Sequence, residues 1–214
     1  MATTKESKVT AAKVGLVPAI YKHILDPGLD YLESFVDDVS PAIVENVPIL
    51  KSISGAFKAG FAIKERIFVK KLILMLSGIK DIPIDKRNEW IDKMEKEGDY
   101  VDFGEKLLMA IETIDDYTKA AWLGRALKEY ISGSIDRKTF SKINKAIQVF
   151  FADNARELEA FYLEGRPLDE DAIHNALASG LVKSDIYVMD GEFGSLSCTR
   201  NDLGGFFVRK IAFS

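Results

Sequence analysis

The chain has 214 residues, 47% apolar and 29% charged, with a formal net charge of −4 and one cysteine, Cys198. That length allows one large domain or a main domain with a small appendage, and the apolar share is enough to bury a core. The charge excludes a global basic field of the kind that advertises nucleic-acid binding, and a lone cysteine excludes a disulfide framework or a cysteine-built zinc site within one chain.

The N-terminal stretch lacks a long apolar h-region and a small-residue cleavage site, so no signal peptide is expected. No window reaches the roughly eighteen uncharged apolar residues of a constitutive spanning helix. The expected location is the cytoplasm, with membrane association when active. Residues 5 to 25 predict a helix that Pro18 kinks or restarts. Val9, Ala12, Leu16, Ala19, Ile20 and His23 share one face of it, flanked by lysines as in surface-seeking helices. Asp26-Pro27-Gly28 reads as a turn. Leu29, Leu32, Phe35 and Val36 then share a helical face. Ser40 before Pro41 is an N-cap signal, and Pro48 marks another restart.

From Pro48 to Ser77 the pattern predicts one long helix, with Gly78 as its left-handed terminator. On a helical wheel Ile53, Ala56, Phe57, Gly60, Ile63, Ile67, Phe68, Leu74 and Met75 form a broad apolar side. Gly55, Ala59 and Ala62 form a small-residue strip with Lys51, Lys58, Arg66 and Lys70 near it. Lys64 and Lys71 fall inside the apolar side, where a charge needs a carboxylate, a bound anion or a route to water. Six basic residues between Lys51 and Lys71 face one acid, Glu65, and seven acids between 168 and 202 face Lys183 and Arg200. Either these regions neutralise each other or are solvated, or the basic helix holds an anion. The anion candidates are Lys51, Lys58, Lys64, Arg66, Lys70 and Lys71, for a nucleotide, an oligonucleotide or anionic lipid. Gly55, Ala59 and Gly60 are the candidate helix contacts of a homo-oligomer, because small residues let backbones approach. In such an oligomer the lysines could line a water-filled pore.

Further along, Trp90, Ile91 and Met94 mark a helix ended by "EGDYVD". "FGEKLLMAIETID" is the next, and "DDYTKAAWLGRALKEYISG" follows, capped by Asp115 or Asp116 and stopped by Gly133. Residues 134 to 164 predict one long helix closed by Gly165 and Pro167. Trp90, Trp122, Phe150, Phe151, Phe161 and Tyr162 lie at helical spacing and read as core. After residue 168 the period changes. "LDEDAIHNALASGLV" is a short acid-capped helix ending at Gly180. "SDIYVMD" and "SLSCT" read as strands joined by "GEFG", with Asp190-Gly191 as the turn signal, and a last helix follows. The expected architecture is mainly α: a multi-helix bundle over residues 1–165 with a small C-terminal winged-helix-like α+β module over 166–214.

Catalytic signals are missing. There is no HExxH, Walker A loop, GxGxxG or GxSxG. Asp169, Asp171 and His174 could be imagined around a metal, but their place at a helix start favours capping. Cys198 has no base nearby in sequence and reads as a small apolar filler. No enzyme, metal or cofactor is expected. The C-terminal module is acidic and its would-be recognition helix has no arginine or lysine, so protein contact suits it better than DNA.

The run "VPILKSISGAFKAGFAIKERIFVKKLILMLSGI", then "FGEKLLMAIETIDDYTKAAWLGRALKEYISGSID" and "ALASGLV", resembles a loose group of uncharacterised bacterial and prophage-borne proteins over residues 45 to 182. Some of these are associated with antiphage defence, where small helical effectors act on membranes. The resemblance implies a defence role and assigns no residue a function. The reading that follows is a non-enzymatic, self-associating effector or sensor controlled by an anionic ligand and conditionally active at a membrane. The alternatives are a nucleic-acid-binding regulator using the winged-helix-like end, or an adaptor that masks a partner protein.

Overall fold

The computed structural model describes Pro18, Tyr21, Lys22, Ile24 and residues 63–213 other than 186, 187, 190, 191 and 194–196. Over those residues the chain is mainly helical with a small antiparallel strand ladder. The helix expected around residues 29–36, the cap at Ser40 and the first half of the long basic helix lie outside the described residues. Two compact units divide the chain, Met1–Ser134 and Ile135–Ser214.

In the first unit, α1 (Ile63–Ser77), α2 (Ile84–Lys96), α3 (Tyr100–Thr113) and α4 (Tyr117–Ile131) follow one another through short turns. Asp116 starts α4 by accepting the Thr118 backbone N–H at 2.5 Å, satisfying one of the four donors that a helix start leaves open. The main packing partner of α1 is α4. Their backbones meet at glycines. A methyl group on Gly124 would run into the Met75 carbonyl oxygen, and one on Gly78 would lie 2.5 Å from the carbonyl carbon of Gly124. Gly78 therefore ends α1 for a different reason than expected. Among the described residues the left-handed glycines are Gly98, Gly133, Gly165 and Gly180, whereas Gly78 is needed because a second backbone occupies the space a side chain would take.

This crossing also sets which side of α1 is core. Val69, Leu72, Ile73 and Leu76 are buried with Trp122, Leu123, Ala126 and Leu127 of α4, while Ile67, expected on the apolar side, is exposed. Between Ile67 and Leu76 the sequence is apolar nearly all round, so the wheel has no sharp polar face to orient it. The glycine of the partner helix makes that choice. Each such aliphatic side chain withdrawn from water contributes about 1.5–3 kcal/mol.

The helical residues Tyr21 and Ile24 are buried in the same unit. The Tyr21 hydroxyl donates to the Tyr100 carbonyl at 2.8 Å, and the two rings stack at 3.9 Å. The buried Arg87 guanidinium donates to the carbonyls of Ile24 and Ile82, each at 2.8 Å. Trp90 and Phe103 complete the aromatic group edge to face at 5.5 Å, a favoured ring geometry.

The second unit contains α5 (Arg137–Val149), a 3-10 turn (Ala152–Asn154), α6 (Ala155–Glu164), α7 (Glu170–Ala178), strands β1 (Val182–Asp185), β2 (Val188–Met189), β3 (Glu192–Phe193) and β4 (Ser197–Arg200), then α8 (Asp202–Phe206) and a π-helical turn (Phe207–Ala212). The single helix expected over 134–164 is two helices. Phe150 and Phe151 are extended at the break. The buried Asn175 amide serves both sides of it, accepting the Phe151 N–H at 2.8 Å and donating to the Val149 carbonyl at 3.3 Å. Consecutive side chains of an extended pair point in opposite directions. Phe150 is accordingly buried against Phe207, while Phe151, expected in the core, is 60% exposed.

A second hub is Tyr162 on α6. Its hydroxyl donates to the Leu181 carbonyl at 2.5 Å and accepts the Asn201 N–H at 2.9 Å, joining α6 to the end of the ladder where β1 begins and β4 finishes. Burial pushes its pKa up, so it remains a protonated donor. These ties place α5 and α6 with the C-terminal segment, and the division falls near residue 134 instead of the expected 165. Met189 pairs with Glu192, so Glu192 and Phe193, expected in the connection, are strand residues, while the Asp190-Gly191 turn expected from sequence lies outside the described residues.

Two substitutions test this packing. Gly124→Ala is expected to destabilise the first unit by about 1–3 kcal/mol, read as a lower urea midpoint in tryptophan fluorescence, since Trp90 and Trp122 both lie in that unit. Asn175→Ala strips the Phe151 N–H and the Val149 carbonyl of their side-chain partner and is expected to cost about 1–2 kcal/mol. Its loss should appear in far-UV dichroism while the tryptophan transition stays in place.

Candidate functional site

The candidate anion helix is described from Ile63 onward, so Lys51, Lys58, Gly55, Ala59 and Gly60 lie outside the described residues. The four remaining cations part company. Lys64 and Arg66 are exposed, Lys70 is half-buried and Lys71 is buried. Arg66 and Lys70, four apart, share one edge of α1, whereas Lys64 lies on another. Lys70 stands 4.7 Å from the centre of the Tyr117 ring at the start of α4, within cation–π range.

Lys71 has a different task. Its Nζ donates to the carbonyl oxygens of Ile111, at 3.5 Å, and Ile114. These are carbonyls at the C-terminal end of α3, where helix dipoles concentrate negative potential and acceptors lack partners. Desolvation lowers the Lys71 pKa, and the carboxylates of Asp115 and Glu112 oppose that shift. The ammonium that seemed to require a ligand is thus answered by a helix end of its own subunit. Lys64 and Lys71 look equivalent on a wheel. They lie about 10.5 Å apart along the axis, and only Lys71 is level with the end of α3.

A second buried lysine, Lys119, was not singled out by the sequence. Its ammonium meets Asp115 Oδ1 at 2.8 Å, with the lysine side chain 3% exposed and the aspartate 72% exposed. The hydrogen bond from Lys119 holds the Asp115 carboxyl below its ordinary pKa. Of the two adjacent acids, Asp116 caps α4 and Asp115 neutralises a lysine. An acid four residues before a lysine at a helix start was the available signal.

The remaining candidate chemistry is structural. Asp169 Oδ1 accepts the Ala172 N–H at 2.8 Å and starts α7, while His174 is exposed. No group of His, Cys, Asp and Glu able to hold a metal occurs among the described residues. Burial pushes the Cys198 thiol pKa up, which lowers its thiolate fraction and its reactivity. Trp90 and Trp122 are buried as expected. Among the described residues no helix is long and apolar enough to cross a membrane. No protein-family model, curated protein or solved structure matches the chain.

Lys71 should reveal itself by pH. Its folded pKa lies below the unfolded one, so the unfolded chain holds more protons between the two and stability rises with pH in that window. The wild type should gain stability relative to Lys71→Met as pH climbs toward about 10.4, the ordinary lysine value. Parallel urea midpoints of the two proteins from neutral pH upward would contradict this placement.

Proposed function

We propose that the protein is a non-enzymatic effector or sensor that self-associates and takes an anionic ligand, a nucleotide or oligonucleotide, along the Arg66–Lys70 edge of α1. The supporting observation is an exposed guanidinium one helical turn from an ammonium that sits over the half-open Tyr117 ring, on a helix whose opposite side is anchored in a core. Guanidinium and ammonium suit phosphate oxygens, and an aromatic ring suits a base. Lys64 adds charge from a neighbouring edge. Lys71 supports the helix from below and is not part of the ligand surface. In this reading the protein waits in the cytoplasm and acts at a membrane once the ligand changes its state. The membrane step and the role in antiphage defence rest on the resemblance of residues 45 to 182 and on the basic character of the chain between Lys51 and Lys71.

A second reading is a protein-binding adaptor. It draws on the solvent-facing apolar side chains of the second unit, with Phe151 60% and Leu163 57% exposed. A third follows the order α7, hairpin, α8 as a winged-helix-like module that binds nucleic acid. The exposed acids Glu170 and Asp171 in the first turn of α7 oppose phosphate approach there.

Vesicles of anionic lipid loaded with dye, mixed with the full-length protein and a panel of nucleotides and short oligonucleotides, separate these readings. The wild type is expected to bind an anion and release dye, and the Arg66→Glu, Lys70→Glu pair to lose at least tenfold in both. Intact vesicles under every condition, together with unchanged anion binding in the charge-reversed protein, would remove the effector reading. Steeply salt-dependent DNA binding by the whole chain would put the regulator in its place.

A further inference from the structure

Among the described residues, one side of the strand ladder of the second unit carries no further strand. β1 pairs antiparallel with β4, with Val182 opposite Arg200, Lys183 opposite Thr199, Ser184 opposite Cys198 and Asp185 opposite Ser197. Among the described residues the ladder is two strands wide. Helix α7 touches both β1 and β4, which puts it over a face of the ladder and not along one edge. A two-stranded sheet is marginal alone in water, and an unpaired strand edge is a template for another strand.

Natural edges are commonly guarded by a charge, and Lys183 would serve as one if it stood alone. It does not. Asp185 lies two residues on, on the same face of the strand. Lay a second copy of β1 antiparallel beside the first with Ser184 against Ser184. Lys183 then faces Asp185 of the partner subunit, and Asp185 faces the partner's Lys183. The charges that would repel a random strand attract this one. Lys183 is exposed, Asp185 is half-buried, and neither forms an ion pair with a described residue. The β4 edge offers nothing equivalent. Ser197, Cys198, Thr199 and Arg200 include no acid, and the Arg200 guanidinium is committed to the Phe161 carbonyl at 2.6 Å.

We infer that two copies of this chain associate through β1, antiparallel about a twofold axis at Ser184, to form one four-stranded sheet. Such an interface is isologous and closes on itself, so it yields a dimer and not a filament. Main-chain hydrogen bonds supply the attraction, and the two Lys183–Asp185 pairs set direction and register. The inference goes beyond the proposed function, because it rests on the strand edge and not on the basic helix, the ligand or a membrane.

Sedimentation of the full-length protein over a range of concentrations tests it. The wild type is expected to dimerise. Lys183→Asp and Asp185→Lys, each alone, place like charges opposite each other twice and should raise the dimer dissociation constant roughly tenfold to a hundredfold. The two together restore opposite charges and should restore the dimer. A monomeric wild type overturns the inference. So does a dimer indifferent to both single reversals, which would leave self-association standing and move it to another surface. A double variant no better than the singles also overturns it. Should a single variant lose its far-UV dichroism, Ser184→Cys in a Cys198→Ser background gives an independent reading, since Cys198 is the intrachain neighbour of Ser184. A disulfide-linked dimer supports the twofold at that residue, and its absence under oxidising conditions sinks it.

Discussion

A cation buried among apolar helices must be answered, and in the first unit two such answers, besides that of Arg87, meet at one turn. Lys71 reaches the open carbonyls at the end of α3, and Lys119 reaches Asp115 just before α4 begins. Both lie at the turn joining α3 to α4. The end of one helix, the start of the next and the flank of α1 are thereby held at one point. A lysine stem adds apolar packing to this while its ammonium satisfies acceptors that no backbone donor can reach. Replacing a buried charge with an apolar group is often harmless when both partners go, but removing one partner alone leaves the other exposed to its full desolvation cost.

The second unit solves the complementary problem, that of backbone groups stranded where a helix stops. Asn175 closes the break between α5 and the 3-10 turn, and Tyr162 closes the junction between α7, the strand ladder and α8. Gly204 belongs to the same junction. A methyl group there would collide with the Leu181 carbonyl oxygen and the Tyr162 hydroxyl. Polar side chains therefore decide how this part of the chain turns, while Phe150, Phe207 and Ile211 supply its apolar interior.

Particular residues show how far local pattern carries. The stop at Gly133 and the close of α6 at Gly165 were legible, because each is a short-range backbone requirement with its own residue chemistry. The burial of Trp90 and Trp122 was legible from spacing. The break at Phe150 was not, since its cause is an amide 25 residues further along the chain. The orientation of α1 was not either, since the stretch from Ile67 to Leu76 is apolar except for Lys70 and Lys71 and carries little information about which side its neighbour will take. At the candidate site, the excess of positive charge was readable, but the sorting of those charges into a buried support and an exposed edge was not.

The amino-acid sequence by itself determined that the described residues are mainly helical, that Asp116 starts one helix, that Gly133 and Gly165 mark helix ends, and that cations are concentrated between residues 51 and 71. These follow from interactions within a few residues of each other. Only the tertiary structure decided that Lys71 supports a helix end while Arg66 is exposed and Lys70 lies over the Tyr117 ring, that Gly78 and Gly124 are sites of backbone contact, and that residues 135–164 fall in one compact unit with the C-terminal segment. Those outcomes depend on groups far apart in sequence meeting at a few ångströms, where a single carbonyl, amide or missing methyl selects one arrangement among several that local pattern leaves equal.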